Sequence, residues 1–452
     1  MHESARLSRH HWSPQQAMGD SLSAATNWLR IEFWLPVATV FTFCMVVSAD
    51  QGYAAIGGDE VYNPRVLSNI IRQVAFLGLG SVGGLMLLRG SPASAQSHPA
   101  WTIVLPVILL MIYMLASVLW SDDPETTFKR SITALLVVVT GLGIGRVWDA
   151  KNLSWGIVLI SGLFLAAGIL TELRYRSFLA VDEYRFSGLF HPAKQAFNCG
   201  FLLLASLAIY LRERRAWMLL IVGVAATFLI LTKARTGTAA ALVSAVWLIS
   251  QYSNIRGWLI LGIAGVILSF SGLLLYQGAT GQSIETQRIA TMGRNEESAD
   301  PTKLTGRLPI WRHAIQEVAD RPILGHGYGA FWTVGRLAEF ERLNGWALYH
   351  AHSTYLETLL NVGLVGLVIG VLTIFLVLHR SQTLIRQGYV DAALVSALIL
   401  MAALGGLFEI AFINLEYESI VLMAAIGTMI FSVSPQIQAS SAYRRRVSRN
   451  RR

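Results

Sequence analysis

The succession of apolar runs constrains this chain more than any other feature of its sequence. Twelve stretches, near 31–49, 66–88, 101–120, 131–148, 155–172, 196–211, 216–232, 236–250, 258–277, 353–378, 390–411 and 416–433, read as transmembrane helices. A bilayer core of ~30 Å takes about 20 helical residues. Some of these stretches are short or interrupted by glycine, so eleven or thirteen spans fit the same pattern. Hydrophobic residues make up 54% of the chain and charged ones 14%, against roughly 25% charged in a soluble domain. The expected fold is therefore all-α and polytopic. A cytoplasmic leader (1–30) precedes helices one to nine (31–277). A long extracytoplasmic loop (278–352), helices ten to twelve (353–433) and a basic cytoplasmic tail (434–452) follow.

The net charge of +9 does not point to nucleic acid, because the basic residues gather between apolar runs and in the tail from Arg444 to Arg452. With the N-terminus cytoplasmic and the long 278–352 segment set aside, Lys and Arg divide 18 inside to 10 outside, which fixes the orientation by the positive-inside rule. The first run, following a polar basic leader with no clear cleavage site, reads as a signal anchor. Cys44 and Cys199 lie inside apolar stretches and read as packing residues. The inner loops are short and carry anchoring charge, so chemistry is expected on the outer side.

In the long loop, Trp311, Ile315 and Val318, with Ile310 and Ala314 beside them, recur at helical spacing until Asp320-Arg321-Pro322 ends the pattern. Gly325-His326-Gly327-Tyr328-Gly329 then reads as a tight turn that lets backbone approach a ligand or the helix bundle. His350-Ala351-His352-Ser353 stands at the entrance to an apolar helix, with Glu357 beyond it. A histidine there suits a general base acting on a lipid-borne substrate. An amphipathic interfacial role and a His-x-His metal site remain the alternatives, the latter short of further ligands. Arg185, Arg235 and Arg307 occupy three separate outer segments. Their guanidinium forks suit a phosphate ligand, with ion pairing to nearby carboxylates as the plain alternative.

These residues resemble the O-antigen ligases and Wzy-type polymerases, bacterial membrane enzymes that transfer saccharides from undecaprenyl pyrophosphate. His352-Ser353 is followed by nine residues and then Gly363-Leu364-Val365-Gly366, the spacing found in ligases of that family. Thr305-Gly306-Arg307 through Trp311, Pro322, Gly325, Gly327 and Phe331 resembles the family too. So do Trp120-Ser121-Asp122-Asp123-Pro124, Phe186-Ser187-Gly188 and Ala234-Arg235-Thr236. The aromatic-rich run 327–332 is most similar to exopolysaccharide polymerases of the ExoQ kind.

The resemblance implies that His352 deprotonates the acceptor hydroxyl while Arg235 and Arg185, with Arg307 as a third, hold the donor pyrophosphate. His350, His326, Lys194 and Ser353 are supporting candidates. It further implies inverting transfer with no metal and no cofactor, at the periplasmic face of a bacterial inner membrane. The mobile-looking segment 278–306 and the helix after it are expected to shield the reaction from water. The implied partners are an undecaprenyl-pyrophosphate-linked saccharide, a polysaccharide or lipid-linked acceptor, membrane lipid, and a chain-length regulator with export proteins. A repeat-unit polymerase and a ligase acting on a lipid A-core acceptor both satisfy the pattern. A transporter or flippase of lipid-linked saccharides is the competing class, although its charges would be expected near mid-membrane.

Overall fold

The computed structural model describes residues 31–55, 70–90, 99–178, 184–252, 307–344, 349–412 and 415–432. Among these it is helical throughout, with no strand. The helices are α1 (Ile31–Ala55), α2 (Ile70–Arg89), α3 (Trp101–Ala116, continued by a 3₁₀ turn, Ser117–Trp120), α4 (Pro124–Val147), α5 (Ala150–Arg174), α6 (Pro192–Glu213) and α7 (Met218–Leu231). They continue as α8 (Arg235–Tyr252), α9 (Arg307–Asp320), α10 (Val334–Asn344), α11 (Thr354–Arg386), α12 (Ala392–Gly405) and α13 (Tyr417–Phe431). Helices occupy eleven of the twelve apolar stretches read from the sequence. The twelfth, 258–277, lies outside the described residues, as do the leader, the tail and the segment 278–306. Among the described residues six helices are long and apolar enough to cross a membrane, and four shorter apolar ones accompany them. The protein is a multi-pass membrane protein.

The chain's turns set the two ends of the bundle. Arg212, at the end of α6, pairs with Asp391 ahead of α12 (3.0 Å) and lies 3.4 Å from Ser154 at the start of α5. The starts of α5 and α12 and the end of α6 therefore share one end. The end of α5, the start of α6, the α7–α8 turn, the end of α12 and the start of α13 must then share the other. Helix α6 runs through the middle with nearly every residue from Gln195 to Ile209 buried. Small residues let helices meet closely, as expected where association rests on packing rather than on water exclusion. A Cβ at Gly141 or Gly145 of α4 would overlap α13 at Met423 or Thr428.

Helix α11 departs most from its sequence reading. Its 33 residues would rise about 50 Å, far more than the ~30 Å hydrocarbon core. It is broken at Gly363, whose φ of +63° and ψ of −166° are not helical. A nine-residue segment, 354–362, thus precedes the run 364–386, which is the part of membrane-spanning length. The second segment starts with N–H groups that have no partner one turn back. The carbonyl of Pro322 accepts from Leu364 N (2.9 Å) and that of Ile323 from Val365 N (3.3 Å). The turn 325–329 is fastened to the same break: His326 N donates to Leu360 O, Gly327 N to Asn361 O and Gly329 N to the Asn361 side chain. The glycine-rich turn therefore approaches the bundle.

Helix α9 ends at Asp320 as its sequence pattern required. Its buried face is rotated from the one expected, however: Ile310 and Ala314 are fully buried with Trp311 and Val318 beside them, whereas Ile315 is 59% exposed. Helix α10 has no counterpart in the sequence reading. It is held by Phe340, buried against Phe331 and Trp332.

Candidate active site

Ser353 caps α11, so His350 and His352 lie ahead of the helix and not within its first turn. The helical separation of 200° that would point them apart does not apply. Their rings lie 4.1 Å apart between centroids. His352 adopts φ +49°, a left-handed conformation uncommon for a residue with a side chain. The surrounding bonds hold it there. Ala351 N donates to Glu357 Oε2 (2.9 Å), and Trp311 Nε1 donates to Ala351 O (2.9 Å). Trp332 and Asn361 donate to Glu357 Oε1. Helix α9, the turn and α11 are thus all fastened around one histidine loop.

His352 faces Glu409, from the loop after α12, with Nδ1 3.8 Å from Oε2. The ring is 21% exposed and the carboxylate 16%. Arg307 forms an ion pair with the other oxygen of Glu409. Thr354 fixes the Glu409 backbone: its N–H and Oγ1 both donate to Glu409 O (3.1 and 2.9 Å). Burial alone would raise the Glu409 carboxyl, but His352 and the Arg307 charge hold it down to about 2. Glu409 is consequently an anion behind the histidine at any physiological pH. Withdrawal from water and then the neighbouring His352 push His350 down to about 3, which leaves it neutral.

Helix α6 meets this cluster at its first turn. Lys194 pairs with Glu416 at 2.6 Å, and Lys194 and His191 stand close enough to His350 to act on it electrostatically. Farther along the same end, Arg185 Nε donates to Thr232 O (3.1 Å) and Phe186 N to Leu231 O (2.9 Å). The Arg185 segment is thereby joined to the α7–α8 turn, and Arg235 is the first residue of α8. Gly237 of α8 lies against Ala196 of α6, which closes the ring of elements.

The expected site residues therefore divide. His350, His352, Ser353, Arg307 and Lys194 come together around Glu409 and Glu416, while Arg185 and Arg235 flank one turn at the same end of the bundle. His326 stands apart. It is 3% exposed, its Nδ1 lies 2.9 Å from Asp122 Oδ2, and its Nε2 lies 3.2 Å from Glu317 O. Asp122 also pairs with Arg321 and Arg336 (2.9 and 2.8 Å), so this histidine belongs to a knot that fastens the loop to the start of α4. Among the described residues no cluster of three or more His, Cys, Asp or Glu side chains could hold a metal ion. Glu409 went unrecognised in the sequence, because it reads there as the tail of an apolar run.

Comparison with known proteins bears on this arrangement. Residues 220–371 match the family model of the O-antigen ligases. Over 279 residues the chain is 26% identical to the exopolysaccharide production protein ExoQ of Rhizobium meliloti (strain 1021). That match covers 58% of this chain and 62% of ExoQ, somewhat under two thirds of the relative's length. The chain is similar to the O-antigen ligases over that region and to ExoQ, and both comparisons support the resemblance drawn from its motifs. The region matched by the O-antigen ligase model contains Arg235, Arg307, His326, His350, His352 and Ser353. Arg185, Lys194 and Glu409 lie outside it.

Proposed function

We propose that the protein is a membrane glycosyltransferase that joins oligosaccharide units carried on undecaprenyl pyrophosphate, acting as an exopolysaccharide repeat-unit polymerase at the periplasmic face. The observation that carries this reading is the placement of His352 against the anion Glu409 at the same end of the bundle as Arg185 and Arg235. The likeness to ExoQ favours the polymerase form. Ligation to a lipid A-core acceptor is the second reading, favoured by the family match over 220–371.

In this mechanism Glu409 favours a proton on His352 Nδ1, so that Nε2 takes the proton of the acceptor hydroxyl. The acceptor oxygen attacks the anomeric carbon of the donor from the side opposite the pyrophosphate. The bond from that carbon to the phosphate oxygen breaks with inversion, and the electron pair leaves on the pyrophosphate. Arg185 and Arg235 stabilise the charge gathering there. Arg307 already bonds Glu409, so its contribution is to hold that carboxylate; contact with pyrophosphate would require it to change partner. No side chain in this scheme calls for a metal.

The test is transfer by purified protein in proteoliposomes given the lipid-linked repeat unit. Chains of several repeats, formed equally in the presence of a chelator, support the polymerase. Product only when a lipid A-core acceptor is added would shift the assignment to ligase. Movement of intact lipid-linked saccharide without new glycosidic bonds would replace both with a transporter.

A further inference from the structure

Glu172, near the end of α5, gathers four hydrogen bonds from one short segment. Tyr184 OH donates to its Oε2, while Ser187 N (2.9 Å), Ser187 Oγ (3.3 Å) and Gly188 N (2.8 Å) converge on Oε1. The residue is 5% exposed. Gly168, one helical turn earlier on the same face of α5, meets Gly188 so closely that a Cβ there would lie 2.9 Å from its Cα. Two points on α5 thus press the segment 184–188 flat against the helix. On its other side the segment is bonded to the α7–α8 turn through Arg185 Nε to Thr232 O and Phe186 N to Leu231 O. The Phe186 ring packs edge-on to Phe228 at 4.7 Å.

Arg185 is therefore the one charged residue of a strip clamped from both sides. Segments outside regular helices at a membrane surface keep their shape only where such bonds define it. A carboxyl group committed to two backbone N–H groups and two hydroxyls supplies a shaping contact, not a charge aimed at a ligand. We propose that Glu172 is the positioning residue of the anion site: it sets the Arg185 segment against the α7–α8 turn, so that the Arg185 and Arg235 guanidinium groups converge on one pyrophosphate. This rests on the glycosyl-transfer reading above and adds to it a residue that touches no substrate.

The test compares Glu172→Ala, Glu172→Asp and Glu172→Gln in reconstituted protein. Losing hydrogen bonds that order a charged ligand's partner is worth roughly 10- to 100-fold in affinity. Glu172→Ala should raise the donor KM by that much with kcat within about threefold. Glu172→Asp, one methylene too short to reach all four donors, should follow in the same direction. Glu172→Gln keeps the length and an acceptor oxygen for the backbone N–H groups, and should restore KM to near the parent value. In an Arg185→Ala background Glu172→Ala should add nothing further. An unchanged donor KM in folded Glu172→Ala or Glu172→Asp, or an effect that adds fully to that of Arg185→Ala, would overturn the proposal.

Labelling with phenylglyoxal, read at Arg185 by mass spectrometry, examines the same site without turnover. Inorganic pyrophosphate should protect Arg185 in the parent and in Glu172→Gln but not in Glu172→Asp. If the parent protein makes no glycosidic bond yet shows this pattern, the assigned reaction fails and the positioning role stands. Equal protection in all forms sinks the positioning role whatever the reaction.

Discussion

His352 and Glu409 face each other across 3.8 Å although they stand on opposite sides of two helices in the chain, one ahead of α11 and the other after α12. Thr354 makes the connection. Its backbone N–H reaches Gly406 O and Glu409 O, its hydroxyl donates to Glu409 O, and Ala411 N donates to that hydroxyl. The start of α11 is thus bonded directly to the loop beyond α12. Whatever moves that loop moves the carboxylate relative to the histidine.

The break in α11 should tolerate no side chain. At φ +63° and ψ −166° Gly363 occupies a region open essentially to glycine, worth about 1–3 kcal/mol for other residues. A Cβ there would also sit 2.2 Å from Ile323 O, a backbone atom that cannot swing away. Gly363→Ala should therefore lower the thermal unfolding midpoint in detergent markedly, whereas Gly370→Ala, with open space around its Cβ position, should not. Equal midpoints for the two would show that the break is not required by the fold.

His350 carries a pH dependence of stability. Its value in the folded protein, about 3, lies below the ordinary 6.5. As pH falls from 6.5 the unfolded chain binds the proton first, so the unfolded state gains. The contribution is complete above pH 6.5 and is lost progressively toward pH 3. His352, Glu409, Lys194 and His191 surround the ring, and of these only Glu409 favours its protonation. His350→Gln, neutral at every pH, should flatten the decline in unfolding midpoint between pH 7 and pH 4.5. Parallel curves for the parent and His350→Gln would remove His350 as the cause.

Some of this was readable from the sequence because local rules decide it. Among the described residues the apolar runs became helices, and α9 stopped at Asp320 ahead of Pro322. What was not readable depends on contacts between distant segments. The break at Gly363 needs the carbonyls of Pro322 and Ile323 to cap the helix that resumes after it, and nothing in 353–378 signals their presence. Glu409 sits at the end of an apolar run, where a sequence pattern counts it with the helix. Ile315 has helical spacing from Trp311, yet the face that packs is set by Ile310 and Ala314 meeting Phe331 and Leu360. Helix α10 has a single fully buried anchor, Phe340, too little for periodicity to register.

The arginines should respond to the shape of the cation as well as its charge. A lysine at position 235 keeps the positive charge but lacks the planar fork that bonds two oxygens at once. Arg235→Lys should therefore raise the donor KM by about tenfold or more, the worth of one charge-assisted hydrogen bond, and Arg185→Lys should behave alike. Full activity in Arg235→Ala would reduce this residue to an ion-pairing role.

The order of importance among His352, Glu409 and His350 is the sharpest consequence of the geometry. A general base contributes about 10²- to 10⁴-fold, so His352→Ala should cut polymer formation by that amount while insertion and expression stay normal. His352→Gln keeps hydrogen bonding but takes no proton, and should be nearly as damaging. In the proposed mechanism Glu409 acts through His352, and its loss would leave the base in place but without the anion behind Nδ1. Glu409→Gln should then cost less than His352→Ala, about 10- to 10²-fold in kcat with the donor KM little changed. In a His352→Ala background Glu409→Gln should have almost no further effect, because the two work as one unit. His350→Gln should cost least, since a ring whose pKa is pushed down to about 3 is a poor proton acceptor at pH 7. Accumulation of lipid-linked donor in His352→Ala, without longer chains, would locate the defect at the transfer step. If His350→Gln instead abolished product and His352→Ala were silent, the base would have to be reassigned to His350. Glu409 would then be a structural anion paired with Arg307.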